Sequence, residues 1–517
     1  MNAAYFLVDK NAIERPNNVA IYYKDKKLTY AELHANVNRF GNALKNLGVK
    51  KGERFVCRMP NRPEAAIIFI AGVKIGAIPI PSFPLLKENE LEYIVNITDS
   101  VGIVSNSESL DEIKDIWNKC KTLRFIISVG ENKLANYTYE NLVESSPSVL
   151  EPEKTDKDDI ALICFTSGTT GKPKGLPHKH KSILAQADIY VPFGLEGLKE
   201  GDVIFTTSPF GFVFGLVALV IYPFRFGVST VYSEKRMEPE DVSEILDRFH
   251  VTHFLTIPTL CQKMLKESNA RAKYTFPCLR VAKATGMEVP EELQKRWKKA
   301  FKVDLLPGFG MQELLGAAIS CTSEKFRYGS IGLGVPGMEA CVVDKDNQII
   351  PTGKQGRLAV KSPSVIPYYW KDPEKTKQCL TEDGWLYTDD IVYQDDEGYF
   401  YYVGRSDDVI KSSGWTISPV EIENVLILHP AVSEAGVFDI SDPEKGRIPV
   451  AAVVLKRGTA GSEDLTLELQ GFVKTRLAPF KYPREIYYMT SLPRTVTGKL
   501  LRYQLRETFS HRGNLSE

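Results

Sequence analysis

Phe165-Thr-Ser-Gly-Thr-Thr-Gly-Lys-Pro-Lys-Gly175 sets three glycines, four hydroxyl side chains and two lysines directly after the apolar run Ile160-Ala-Leu-Ile-Cys-Phe165. Glycine lets a backbone turn inward and approach an anion closely, and consecutive amides, hydroxyls and ammonium groups together offset the charge of phosphate oxygens. The apolar run reads as a buried strand and 178–190 as a helix, so the loop is expected between strand and helix. A fragment as short as Gly-Thr-Thr-Gly would be an ordinary solvated turn. The full string is not a Walker loop, because Lys172 is followed by Pro173 rather than by Ser or Thr.

The rest of the composition bounds the answer. A chain of 517 residues has room for two or more domains, and 43% hydrophobic with 25% charged residues is ordinary for a soluble globular protein. Lys plus Arg and Asp plus Glu both number 65, so no overall basic field draws nucleic acid. Eight cysteines (Cys57, Cys120, Cys164, Cys261, Cys278, Cys321, Cys341, Cys379) form no C-x-x-C pair, and the N-terminus has no basic stretch leading into an apolar core. Both point to the reducing cytoplasm. Among seven histidines there is no H-E-x-x-H; His178 and His180 flank Lys179 in what reads as a basic surface patch, and no zinc site is assigned. The apolar runs 65–73 and 209–224 fall short of the ~20 residues that span a bilayer. The final Asn514-Leu-Ser-Glu517 is not a peroxisomal address.

The first half alternates helix-like and strand-like segments. Thr29-Tyr-Ala-Glu32 is a capping box, followed at helical spacing by Leu33, Val37, Phe40, Leu44 and Leu47, with Gly48 placed to end the helix. Strands are expected at 54–58, 102–105 and 125–129. From about Gly332 short strands at 339–343, 356–361 and 399–403, with turns at Pro336-Gly337, Asp383-Gly384 and Glu397-Gly398, indicate a β-rich unit. The predicted architecture is a multidomain α/β protein. Its N-terminal domain covers 1–404, with two α/β subdomains to about 330 and a small β-rich subdomain at about 331–404. A small mobile α+β C-terminal domain covers 405–517 and begins with the charged turn Arg405-Ser-Asp-Asp408.

Further motifs follow in order: Gly308-Phe-Gly-Met-Gln-Glu313, Tyr387-Thr-Asp-Asp390, Gly404-Arg-Ser-Asp-Asp-Val-Ile-Lys411 with Gly414, and Pro493-Arg-Thr-Val-Thr-Gly-Lys499. With the phosphate loop they make the chain, from about Asn2 to Arg502, resemble the acyl-adenylate-forming (AMP-binding) superfamily in its acyl-CoA synthetase branch. The resemblance implies a carboxylic acid:CoA ligase that uses ATP, Mg²⁺ and coenzyme A, releasing pyrophosphate and then AMP.

By that resemblance Thr166, Ser167, Gly168, Thr169, Thr170 and Lys174 embrace the outer phosphates, and Glu313 helps hold Mg²⁺ through oxygen. Lys499 bridges the incoming carboxylate and the α-phosphate. Catalysis falls to Lys499, Glu313 and Thr166. Asp390 accepts hydrogen bonds from the ribose hydroxyls, and Arg405 reaches the phosphate or ribose. Gly308, Phe309 and Gly310 line one side of the nucleotide, Phe309 facing adenine, while Gly286-Met287-Glu288 form the opposite wall. The small domain turns about Asp407 and brings Ser413, Gly414 and Trp415 over the adenylate, Gly414 leaving room for pantetheine. As a plain turn, Gly414 would need no such role.

Two departures from the family pattern bear on the rate: Gln312 stands where Thr is usual, and Asp389 where glycine is common. The residues expected at the acyl pocket, Phe212, Val213, Phe214, Thr285, Gly310, Gly316 and Ala317 with Gly308, are apolar or small, and no charged side chain lies among them. Gly211, Phe212 and Val213 supply no Asp for a substrate ammonium, so an amino acid is a poor candidate. Acetate synthetases close the pocket with a Trp at the aromatic turn, whereas Gly310 and Met311 follow Phe309 here. The segments 2–9, 37–44 and 214–216 look like benzoate and aminobenzoate CoA ligases, and 477–484 looks like both these and medium-chain synthetases. An aromatic, cyclic or medium-chain acid is therefore expected. The alternatives are an acyl-AMP ligase that loads a carrier protein and a non-catalytic binding scaffold; intact Lys499, Glu313, Arg405 and Asp390 argue against the scaffold. The sequence identifies no nucleic-acid or membrane partner, and a homodimer is compatible with it.

Overall fold

The computed structural model describes residues 1–166, 173–235, 237–266, 276–412, 415–442, 446–478, 480–495 and 500–510. It is an α/β protein with a large N-terminal domain and a smaller C-terminal one. Among the described residues, five parallel strands ordered Ile78–Ser82, Arg54–Arg58, Gly102–Asn106, Phe125–Val129 and Tyr137–Thr138 make the first sheet. Gly102–Asn106 and Phe125–Val129 are buried along their whole length, as strands covered on both faces must be. A second, larger sheet has a parallel centre that includes Val203–Thr206, His253–Thr256, Val281–Ala284 and Leu305–Met311. Its site end turns antiparallel, where Gly316–Ser320 pairs with Leu305–Met311.

The helix Tyr30–Asn46 forms as its sequence signal dictates. Thr29 accepts from the Glu32 amide and the Glu32 carboxylate accepts from the Thr29 amide, closing the capping box. Leu33, Val37, Phe40 and Leu44 are buried on one face, and Gly48 past the end has φ +79°.

The loop 167–172 lies outside the described residues, but both of its anchors are described. Ile160–Thr166 pairs antiparallel with Lys174–Lys179, and the following helix begins only at His180, running His180–Gly194. The loop thus joins two strands of a hairpin, not a strand and a helix. Gly175 and Pro177 hide the second strand, because both are poor strand formers; pairing with a buried neighbour overrides that local preference.

The histidines are also corrected. His178 and His180 are fully buried rather than on a basic surface, and burial pushes both imidazoles down to about 4, so they are neutral at physiological pH. His180 Nδ1 accepts from the Ala3 amide at 3.2 Å, and His178 Nε2 donates to the Gln312 carbonyl at 2.9 Å.

An antiparallel sheet of Glu339–Val343, Gly356–Lys361, Trp385–Gln394 and Phe400–Arg405 follows. Trp385–Gln394 was not expected from sequence. Its alternation buries Leu386, Thr388, Asp390 and Val392, and the acidic pair 389–390 disguises it as a turn. Beyond it, Val432–Asp442, Gly446–Leu455 and Glu485–Met489 form a sheet packed by the helices Pro419–Ile427 and Glu463–Lys474 around Ile422, Leu426, Val437, Val453 and Leu469. No helix among the described residues is long and apolar enough to cross a membrane.

The last described helix, Arg502–Ser510, is tied down by charge. The Arg502 side chain, 11% exposed, donates from Nη2 to both Glu423 oxygens at 2.7 and 2.8 Å, from Nε to the Val437 carbonyl at 2.9 Å, and reaches Asp408 at 3.5 Å. Removing one partner of such a pair leaves uncompensated charge. Arg502→Met is expected to lower stability by about 3 kcal/mol, read from urea unfolding; a midpoint equal to that of the unmodified chain would contradict the assignment.

Candidate active site

The hairpin anchors Thr166 and Lys174 are register partners, so the two ends of the Gly/Thr-rich loop meet at one point. That point opens on a cavity of about 220 Å³ lined also by Glu313, Asp390 and Arg405, all three from motifs distant in sequence. Each is held by its own element. Asp390 sits on Trp385–Gln394 opposite Arg405 on Phe400–Arg405, and the two side chains approach to 3.7 Å. Thr388 Oγ1 donates to the Leu358 carbonyl and accepts from the Asp390 amide, and Tyr402 donates from its hydroxyl to Asp390 Oδ1 at 3.2 Å. Glu313 lies in a single 3₁₀ turn, Gln312–Leu314, whose carbonyls are gripped by His178 Nε2 and the Ile366 amide. Burial pushes the Glu313 carboxyl above its ordinary range, the charge of Asp390 adding to the effect, while a hydrogen bond from Tyr369 Oη at 3.2 Å opposes it.

Three contributors lacked a sequence signal: Tyr369, Tyr402 and Lys375. Lys375, on the short helix Pro373–Cys379, lies 3.5 Å from Asp389, and Arg405 lies 3.3 Å from the same carboxylate. The extra acid at Asp389 therefore meets two cations. Gln312 turns its amide oxygen into a buried position with no hydrogen-bond partner among the described residues.

Phe309 lies beside Tyr402, ring centroids 5.9 Å apart, so the aromatic turn adjoins the Asp390 cluster. Thr285 Oγ1 donates to the Gly308 carbonyl at 2.9 Å, linking two expected pocket segments. Gly310 is backed so closely by Ala317 that a Cβ would come within 2.8 Å of the Ala317 backbone. A side chain at Gly316 would collide with Gln186, whose Nε2 donates to the Ala317 carbonyl at 3.2 Å. Phe212 packs against Phe83, and Phe210 and Val213 are buried, leaving Phe212 and Phe214 as the partly exposed aromatics of that stretch. Gly286 is exposed and Met287 half-buried. Ser167, Gly168, Thr169, Thr170, Ser413, Gly414 and Lys499 lie outside the described residues, as does the side chain of Trp415. A separate surface recess of about 390 Å³ beside Arg39, Tyr139 and Glu144 holds none of the motif residues.

The Ser406 amide donates to the Asp389 carbonyl, whereas Asp408 is held by Arg502 and Arg506. Glu288, expected at the adenine wall, accepts from Asn424 Nδ2 at 2.8 Å, a bond between the two domains. Its Oε2 is buried without a partner among the described residues, and burial pushes the carboxyl up to about 7.

The model of the AMP-binding enzyme family matches residues 8–370, and that of the AMP-binding enzyme C-terminal domain matches 421–499. The benzoate–CoA ligase of Thauera aromatica is 34% identical, covering 98% of this chain and 95% of that one. The acetyl-coenzyme A synthetase of Bacillus subtilis is 33% identical, covering 98% and 90%. The crystal structure of the anthranilate CoA ligase AuaEII in complex with anthranoyl-AMP superposes with a TM-score of 0.93 at 32% identity, covering 100% of this chain and 98% of that one.

Glu288 makes a pH-dependent contribution whose sign is fixed. A carboxyl whose folded value is about 7 against an ordinary 4.5 holds its proton in the folded state after the unfolded chain has lost it. Stability therefore falls as pH rises from 4.5 to 7 and levels off above, by at most about 3 kcal/mol. Glu288→Gln keeps the acceptor for Asn424 and removes the titration, so its stability relative to the unmodified chain should rise between pH 5 and pH 8. Parallel urea-unfolding series for the two proteins would count against this.

Proposed function

Because this chain belongs to the AMP-binding enzyme family, we propose that it is a carboxylic acid:CoA ligase that forms AMP and pyrophosphate through an acyl-adenylate. The observation that supports this most is the convergence of Thr166, Lys174, Glu313, Asp390 and Arg405 on one cavity at the mouth of the Gly/Thr-rich hairpin. An ionised carboxylate is a poor electrophile, so it needs a leaving group before a thiol can take it. In the first step a carboxylate oxygen bonds to the α-phosphorus of ATP, and the bond to the bridging oxygen breaks with departure of pyrophosphate. In the second the thiol of coenzyme A, giving up its proton, bonds to the acyl carbon as the carbon–oxygen bond to AMP breaks.

Both anions of the first step repel, so positioning and charge neutralisation carry the catalysis. Thr166 and Lys174, with the loop between them, hold the outer phosphates. Asp390, fixed by Thr388 and Tyr402, accepts from the ribose, and Arg405 holds the nucleotide while answering Asp390 and Asp389. Lys499 supplies the mobile cation between the carboxylate and the α-phosphate. Glu313 suits Mg²⁺: a buried oxygen donor with a raised pKa gains from a cation, and a single carboxylate is the usual protein share of a Mg²⁺ held by phosphates and water. When bound, Mg²⁺ neutralises triphosphate charge.

The domain boundary we propose falls at 404/405, with Asp407 as pivot between Ser406, tied to the N-terminal domain, and Asp408, tied to the C-terminal one. Rotation there would withdraw Lys499 and bring Ser413, Gly414 and Trp415 over the adenylate. The acid is aromatic, cyclic or medium-chain; the residues expected to line its pocket carry no charged side chain, and the benzoate and anthranilate ligases among the relatives agree with that class.

Two substitutions separate the half-reactions. Lys499→Ala is expected to abolish adenylate formation, about 10²-fold or more, while thioester formation from supplied acyl-AMP persists; equal loss of both steps would refute its role. Gly414→Leu should slow only the CoA step. Carboxylate-dependent pyrophosphate release followed by turnover with free CoA tests the function as a whole.

A further inference from the structure

Lys283 projects from Val281–Ala284 into the interior, 1% exposed, and donates to Ser320 Oγ at 2.9 Å and the Cys321 carbonyl at 2.6 Å. Neither acceptor is charged, and no carboxylate lies within 4 Å of its ammonium among the described residues. A buried lysine with only neutral partners is costly and calls for a reason.

Its position supplies one. Ser320 is the register partner of Gly308, and the point where a Gly308 side chain would begin is met at 3.7 Å by both Ser320 Oγ and the Tyr190 hydroxyl. The Tyr190 hydroxyl and Ser320 Oγ thus meet at one point beside Gly308, and the ammonium stands directly behind the serine. The phenol is fixed by stacking on Tyr222, centroids 5.6 Å apart. Tyr222 in turn accepts from Gln186 Nε2, the amide that fills the space beside Gly316. Behind the small, apolar lining read from sequence, the proposed acyl pocket therefore has a polar wall. An acid ending in a bare ring or methyl offers the Tyr190 hydroxyl no acceptor, which is costly for a buried hydrogen-bonding group.

We propose that the acid carries a hydrogen-bond-accepting oxygen at the end remote from its reacting carboxylate, contacted by the Tyr190 hydroxyl, with Lys283 as the positioning residue that orients Ser320 beside it. This rests on the ligase reading given above. Burial pushes the Lys283 ammonium down to about 8, so it still carries its charge at neutral pH.

The test compares kcat/KM, by pyrophosphate release, within matched pairs: 4-hydroxybenzoate against 4-methylbenzoate, and 6-hydroxyhexanoate and hexanedioate each against heptanoate. The full chain should favour the oxygen-bearing member of at least one pair by about tenfold or more. Tyr190→Phe and Lys283→Met should each bring that pair to within about twofold. Which oxygen wins, hydroxyl or carboxylate, identifies the acceptor. Equal rates within every pair, or variants that slow both members in the same proportion, overturn the inference and leave the ligase assignment standing. Absence of pyrophosphate release with every acid overturns both.

Discussion

The Asp390–Arg405 pair is the constraint on which the geometry of the cavity depends. The two residues face each other on adjacent antiparallel strands, so backbone pairing alone brings an acid and a base to one edge of the cavity. Arg405 closes the last strand of the small sheet, and the chain leaves that sheet through Ser406 and Asp407. A shift of register by one residue would turn Asp390 to the opposite face and misplace the segment that follows Arg405 together with it. The cavity edge and the path of the chain beyond Arg405 are thus set by the same few hydrogen bonds.

Charge at the cavity is close to balanced among the described side chains. Glu313, Asp389 and Asp390 are answered by Lys174, Lys375 and Arg405. This explains how Asp389 can stand where glycine is common without leaving the cavity strongly negative. An acid at this place needs a neighbouring base, and Lys375 sits where a helix begun by Asp372 and Pro373 delivers it. Gln312 has no such compensation: its carbonyl accepts from His178, but its side-chain oxygen is buried and unpaired among the described residues.

Much of this was legible in the amino acids because it rests on local chemistry. The Thr29–Glu32 capping box encodes a helix start within four residues, and the apolar run ahead of the Gly/Thr-rich loop encodes the buried strand Ile160–Thr166. What escaped was decided by distant partners. Lys174–Lys179 is a strand only because Ile160–Thr166 lies beside it, and Trp385–Gln394 tolerates two acids only because cations from other elements meet them. His178 and His180 look basic between lysines, yet burial makes them neutral brackets for the Gln312 turn and the N-terminal segment. Lys283 was hidden for the converse reason: it lies behind the residues read as pocket lining, and nothing in its neighbours along the chain marks it as buried.

The two sides of Asp407 differ in how firmly they are held, and the difference has a mechanical consequence. Arg502 and Arg506 bind Asp408, Glu423 and Asp439, all within the C-terminal domain, with little water to screen them. Among the described residues, contacts across the domains include single polar bonds, such as Asn424 with Glu288 and Lys266 with Ser433 at 3.4 Å. Strong ionic ties inside the unit resist its deformation, while weak polar ties between units cost little to exchange. Such a distribution of bond strengths suits the rotation proposed about Asp407, in which the unit beyond it moves as a rigid body rather than bending throughout.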